Sequence, residues 1–133
     1  MKSTEFMLGN TVASRYDHIP DKIAALGECM VHLETKELSD DERDIEGVPL
    51  TDWIFQKCNG ANKGKLVTII KGIKLYFTII RSPQKALLVF QLNEPHADVF
   101  LTYHHQLENF IFVLTGRKLM EQQEWIFEEG HTL

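Results

Sequence analysis

The chain has 133 residues, 44% of them apolar and 25% charged, with a formal charge of −5; this fits a single domain over residues 1–133 and excludes wholesale disorder. Its longest apolar runs, ALLVF at 86–90 and FIFVL at 110–114, fall far short of the roughly 20 residues that span a bilayer. MKSTEFMLGN at the N-terminus lacks the parts of a secretory signal, so the reading is a cytoplasmic protein with no membrane partner.

Residues 1–17 carry no clear pattern. From Pro20, a residue suited to a first helical turn, apolar positions recur at Ile23, Leu26, Met30 and Leu33. That spacing predicts an N-terminal helix over about 20–37. SDDERDIEG at 39–47 has five acids, one Arg and little to bury, and reads as a solvated loop. PLTDWIFQKC fits a short helix capped by Thr51 or a strand with Trp53 and Phe55 on one side, and leans to helix. NGANKG at 59–64 is turn chemistry, because Asn and Gly accept positive φ cheaply.

A sheet begins after that turn. KLVTIIKGIKLYFTIIR is rich in β-branched and aromatic residues, and Gly72 either closes a tight hairpin or marks a bulge in one long strand. Ile73, Leu75, Phe77 and Ile79 alternate with Lys74, Tyr76, Thr78 and Ile80, which assigns the first set to the core. Pro83 turns the chain, and ALLVFQL at 86–92 has no polar side before Gln91, as expected of a central strand. Asn93 and Pro95 suit a helix entry and Gly116 an exit. On the helix between them Phe100, Tyr103, Leu107, Phe110, Ile111 and Leu114 form the core stripe, leaving Leu101, His105 and Phe112 as surplus apolar surface. RKLMEQQEWIFEEG at 117–130 reads as a second, shorter C-terminal helix. The expected fold is α+β, an antiparallel sheet of three or more strands packed against N-terminal and C-terminal helices.

No motif points to catalysis. His104 and His105 are adjacent and diverge on a helix, so they cannot chelate a metal by themselves. GANKGK departs from a phosphate loop in spacing and leads into a strand. Cys29 and Cys58 lack CxxC spacing and an evident base, and read as thiols. The expectation is a protein that is not an enzyme, with no cofactor and no metal. Charge is uneven: residues 53–92 hold seven Lys or Arg and no acid, between acidic arms. Lysines at strand edges block unwanted pairing, and they also attract an acidic protein segment. The overall acidity argues against direct nucleic-acid binding.

ALLVFQLNEPHADVFLTYHHQLENFIFVL, an all-apolar strand, a polar turn and a helix with a Leu107-Glu108-Asn109-Phe110 core, resembles the class I chaperones of type III secretion, the Tir-chaperone-like proteins. The resemblance covers roughly residues 65–127. It implies a small acidic cytosolic α+β dimer that keeps an extended segment of a secreted effector protein export-competent without ATP. A chlamydial branch of that class pairs with a second chaperone as a heterodimer and is associated with RNA polymerase, which adds a role in transcription to the implied partners. Val67, Ile69, Tyr76 and Ile80 are assigned to the client surface and Leu101, His105 and Phe112 to a subunit interface, on the strength of surplus apolar surface. The alternative reading is an immunity protein or antitoxin whose acidic loop, with Asp40, Asp41 and Asp44, plugs a toxin.

Overall fold

The computed structural model describes residues 5–61, 63–82, 85–90 and 98–129. The chain divides into two compact units, the first built from residues 1–48 and 103–110, the second from 49–102 and 111–133.

The first unit is a five-stranded antiparallel sheet where a helix is expected. Its strands are β1 (Thr11–Ser14), β2 (Pro20–Gly27), β3 (Met30–Leu33), β4 (Asp40–Asp41) and β5 (Ile45–Gly47), in the order β4-β3-β2-β1-β5. The helical spacing at 23–33 has a β-sheet origin. A register shift between Ile23 and Ala25 inserts a bulge in β2, and a bulge turns the strand's period of two into a spacing of three, so Ile23 and Leu26 both reach the core. Glu28 and Cys29 then close a hairpin, with Cys29 at φ 59. Val31 and Leu33 are buried across that turn, whereas Met30 is exposed.

The acidic run is ordered too. Asp40 and Asp41 pair with β3, residues Glu42–Asp44 form a 3-10 turn in which the Asp41 carboxylate accepts the Arg43 backbone N–H, and Ile45 is buried. This corrects the solvated loop expected at 39–47.

The second unit contains α1 (Thr51–Lys57), β6 (Gly64–Ile70), β7 (Ile73–Ser82), β8 (Lys85–Phe90), β9 (Val99–Leu101) and β10 (Ile126–Glu129), with sheet order β10-β6-β7-β8-β9, all antiparallel. The short helix leaned to at 49–58 is present, although Thr51 is its first residue and makes no side-chain cap. Ile70 opposes Ile73 across Lys71 and Gly72, at φ 53 and 76. Two positive φ angles are the signature of a type I′ turn, so Gly72 closes a tight hairpin. Leu75, Phe77 and Ile79 are buried as expected, while Ile73, beside the turn, is exposed.

The expected helices at 96–115 and 117–130 are corrected. Pro83, Gln91, Asn93, Pro95 and His96 lie outside the described residues, but Val99–Leu101 pairs with β8 as an edge strand. The helix α2 spans His104–Thr115. It starts there because the Gln106 side chain accepts the Tyr103 backbone N–H at 3.2 Å, half of a capping box. It ends at Gly116, at φ 72, whose N–H reaches the Phe112 carbonyl at 2.8 Å. At the C-terminus, Ile126–Glu129 adds to β6 instead of continuing a helix. Fold class α+β therefore holds, with two sheets and two helices among the described residues, neither helix lying at a terminus.

Candidate functional site

Cross-strand register assigns every side chain of the second sheet to one of two faces, since directly opposed residues share a side. Leu66, Thr68, Leu75, Phe77, Ile79, Leu88 and Leu101 lie on the inner one and are all buried. This face is covered from its own unit. Trp125 packs at 5.7 Å against Phe77 and edge-on at 5.0 Å against Trp53 of α1, and Thr68 donates to the Glu124 carbonyl at 2.7 Å while receiving the Gln123 amide at 2.6 Å.

The opposite face is apolar and open around its margins, with Val67 and Val89 buried at its centre. Ile126, Val67 and Tyr76 lie in one row across β10, β6 and β7; Lys65, Thr78, Val89 and Phe100 form the next, with Glu128; Ile80 opposes Leu87 beyond it. Ile69 (54% exposed), Tyr76 (42%), Ile80 (49%), Phe100 (60%) and Ile126 (58%) stand in water, although the alternation that buries their neighbours normally places polar residues there. Met120, also exposed, joins Val67, Ile69 and Ile126 around a shallow depression at the β6–β10 end.

The four residues assigned to client binding are thus brought together on one face, with Val67 buried between Ile126 and Tyr76 on its two neighbouring strands and the other three exposed. Phe100 and Ile126 belong to the same surface and escaped sequence reading, because both were assigned to helices. Alternation in VFL and WIF was the available signal, too short to outweigh the helical pattern.

The residues assigned to a subunit interface fare differently. Leu101 is 3% exposed on the inner face of β9, His105 is 1% exposed in the first unit, and Phe112 is half-buried on α2. Leu101 and His105 are already covered by their own chain, so the apolar surplus at these two positions is core, and their expected outward position is corrected. The Phe6 ring meets His105 edge-on at 5.2 Å and Tyr103 stacks on it at 5.8 Å. Burial lowers the His105 pKa, partly offset by the charge of Glu108; burial likewise lowers that of His104.

Leu107-Glu108-Asn109-Phe110, the run that carries the family resemblance, builds the first unit. Leu107 is buried; Glu108 accepts the Thr11 backbone N–H and hydroxyl, each at 2.8 Å, and Lys22 at 3.4 Å. Asn109 accepts from the Asn10 amide at 2.8 Å and donates to the Glu5 carbonyl at 3.1 Å.

Elsewhere on the first unit, Tyr16, Asp17, Lys36, Leu38 and Asp40 line a second shallow depression. Lys36 hydrogen-bonds Asp17 there, raising its own pKa and lowering that of the carboxylate. Both cysteines are free thiols, Cys29 exposed and Cys58 buried. Among the described residues no three His, Cys, Asp or Glu side chains group to hold a metal ion, and no helix is long and apolar enough to cross a membrane.

No family model, no curated protein and no solved structure matches the chain. The resemblance to secretion chaperones rests on the quoted residues alone.

Proposed function

We propose that this chain is a non-enzymatic binding protein whose working surface is the open face of the second sheet, and that it acts as a cytoplasmic secretion chaperone holding a segment of an effector protein ready for export. The observation that supports the reading is the row of large apolar groups left in water on a face whose reverse side is packed. A contiguous apolar patch of this kind marks an interaction site more often than it marks idle surface. The resemblance described above adds RNA polymerase and a second chaperone, as a homodimer or heterodimer, to the partners this reading proposes.

Magnitudes restrict how such a face works. Fully burying an Ile or Tyr side chain is worth about 2 kcal/mol, so five that are roughly half exposed offer about 5 kcal/mol in total. Association costs at least about 4 kcal/mol in lost freedom. Apolar contact alone leaves the complex weak, and additional polar or charged contacts set its affinity. Affinity capture from cells with the wild-type chain and with a Tyr76→Ser/Ile80→Ser variant tests the reading. The expected result is loss of a captured client by a folded variant; undiminished capture overturns the assignment of the face.

The alternative reading, neutralisation of a toxin by an acidic surface, draws on Tyr16 and Leu38, both strongly exposed beside Asp17 and Asp40. Charge reversal at Asp40, Asp41 and Asp44 should abolish binding under that reading and leave client capture by the second unit unchanged.

A further inference from the structure

We infer that the occupant of the open face is an amphipathic helix whose apolar stripe is bracketed by acidic residues; this deepens the binding reading above and rests on it. Three observations carry the inference.

The first is charge. By residue count the first unit holds five bases against twelve acids and the second nine against seven. Among the described residues the first unit pairs its cations internally: Arg15, Lys22, Lys36 and Arg43 each meet a carboxylate of that unit. On the open face, Lys65, Lys74 and Lys85 make no ion pair within 4.0 Å among the described residues, even though Lys65 opposes Glu128 across the sheet. Lys74 lies instead over the Tyr76 ring, 5.2 Å from its centroid. Cations that lack a carboxylate at ion-pair distance around an apolar surface select a partner of opposite sign.

The second is placement. Lys85 opposes Ser82 at one end of the face and Lys74 opposes Ile69 at the other, with Ile80, Leu87, Val89, Phe100, Tyr76 and Ile126 between them. Those two ends lie four side-chain rows apart, about 27 Å along the strands. A helix of about 18 residues has that length. Acidic groups at both ends of its stripe would meet both lysines.

The third is the state of the sheet edges, which decides between a helix on the face and an added strand. The β10 edge carries Glu128 and Glu129, with Glu124 just before it, and exposed Asp98 precedes β9 on the other edge. An acidic strand would meet like charge at either edge. A helix on the face stays off both edges, sets its acidic ends at Lys74 and Lys85, each two rows from Glu128, and completes a sheet covered by helix on its two sides.

The test uses the full chain and three labelled synthetic peptides read by fluorescence anisotropy, with circular dichroism of the mixtures. One peptide is an 18-residue amphipathic sequence with Glu at both ends of its stripe, the second has Lys in place of those Glu residues, and the third carries the same residues as the first in strand alternation. The first should bind and gain helicity, weaken about tenfold or more in a Lys65→Glu/Lys74→Glu/Lys85→Glu variant, and weaken with added salt. Tyr76→Ser/Ile80→Ser should weaken it as well. Equal or tighter binding of the second or third peptide, still lost in Tyr76→Ser/Ile80→Ser, overturns the acidic helix and leaves the binding face standing. No binding by any peptide also overturns it. Binding indifferent to Tyr76→Ser/Ile80→Ser overturns both the occupant and the face.

Discussion

Replacing Glu108 by Ala removes the acceptor for the Thr11 backbone N–H and hydroxyl and the partner of Lys22. The two hydrogen bonds go to an ionised acceptor whose side chain is 13% exposed, and such bonds are worth about 1.5 kcal/mol each, or about 3 kcal/mol together. The Lys22 pair, with its ammonium side chain 32% exposed, is screened and adds under about 0.5 kcal/mol. Glu108→Gln keeps one carbonyl oxygen for Thr11 but loses the charge, for a cost of about half. In urea denaturation with a slope of about 2 kcal/mol per molar, Glu108→Ala should lower the midpoint of the first unit by about 1.5 M. A loss below about 1 kcal/mol, or equal losses for Ala and Gln, would refute the claim that this carboxylate fastens residues 103–110 to β1.

Gly64 and Gly72 both have positive φ, yet they should respond differently to Ala. A Cβ on Gly64 would sit 2.5 Å from the Glu128 carbonyl oxygen, a backbone atom that cannot swing away, so the cost should exceed about 3 kcal/mol, with hydrogen exchange rising across Ile126–Glu129. Among the described residues nothing lies within 4 Å of a Cβ on Gly72, and Ala there should cost only the conformational penalty of about 1 kcal/mol in the same melts. Acid should weaken the first unit through His104 and His105: burial favours their neutral forms in the folded state, while the unfolded chain takes up protons near pH 6.5. Their contribution is complete above that value and falls as pH drops below it, by up to about 1.4 kcal/mol per pH unit for each histidine. Among the described residues Nδ1 of His105 has no hydrogen-bond partner, so His105→Phe should hold stability at pH 7.5 and flatten the loss at pH 5, measured by urea titration at the two values.

The second sheet was largely readable because β7 is long enough to show its alternation and Lys71-Gly72 supplies the turn that folds it on β6. Gly116 likewise announced the end of α2. The first unit was not readable because its strands are short and the longest of them is bulged: β1 and β3 have four residues each, and the bulge in β2 imitates a helical repeat. Phe100 and Ile126 were missed for a related reason. Three or four residues of edge strand give one or two alternations, which a neighbouring helical stripe outweighs. The parity of β6 and β7 places Val67, Ile69, Tyr76 and Ile80 on one face, whereas a helix begun near residue 96 turns Leu101 and His105 outward, when the chain is strand to Leu101 and helix only from His104.

The first unit is discontinuous in sequence: its sheet comes from residues 1–48, but the carboxylate and amide that tie down β1 arrive only with residues 103–110, after β6 to β9 have been made. A ribosome therefore releases most of one unit before the earlier one can be finished. Truncation anywhere before Glu108 leaves Thr11 of β1, and Asn10 just ahead of it, without their late-arriving partners, so incomplete chains expose an unfinished first unit to proteases.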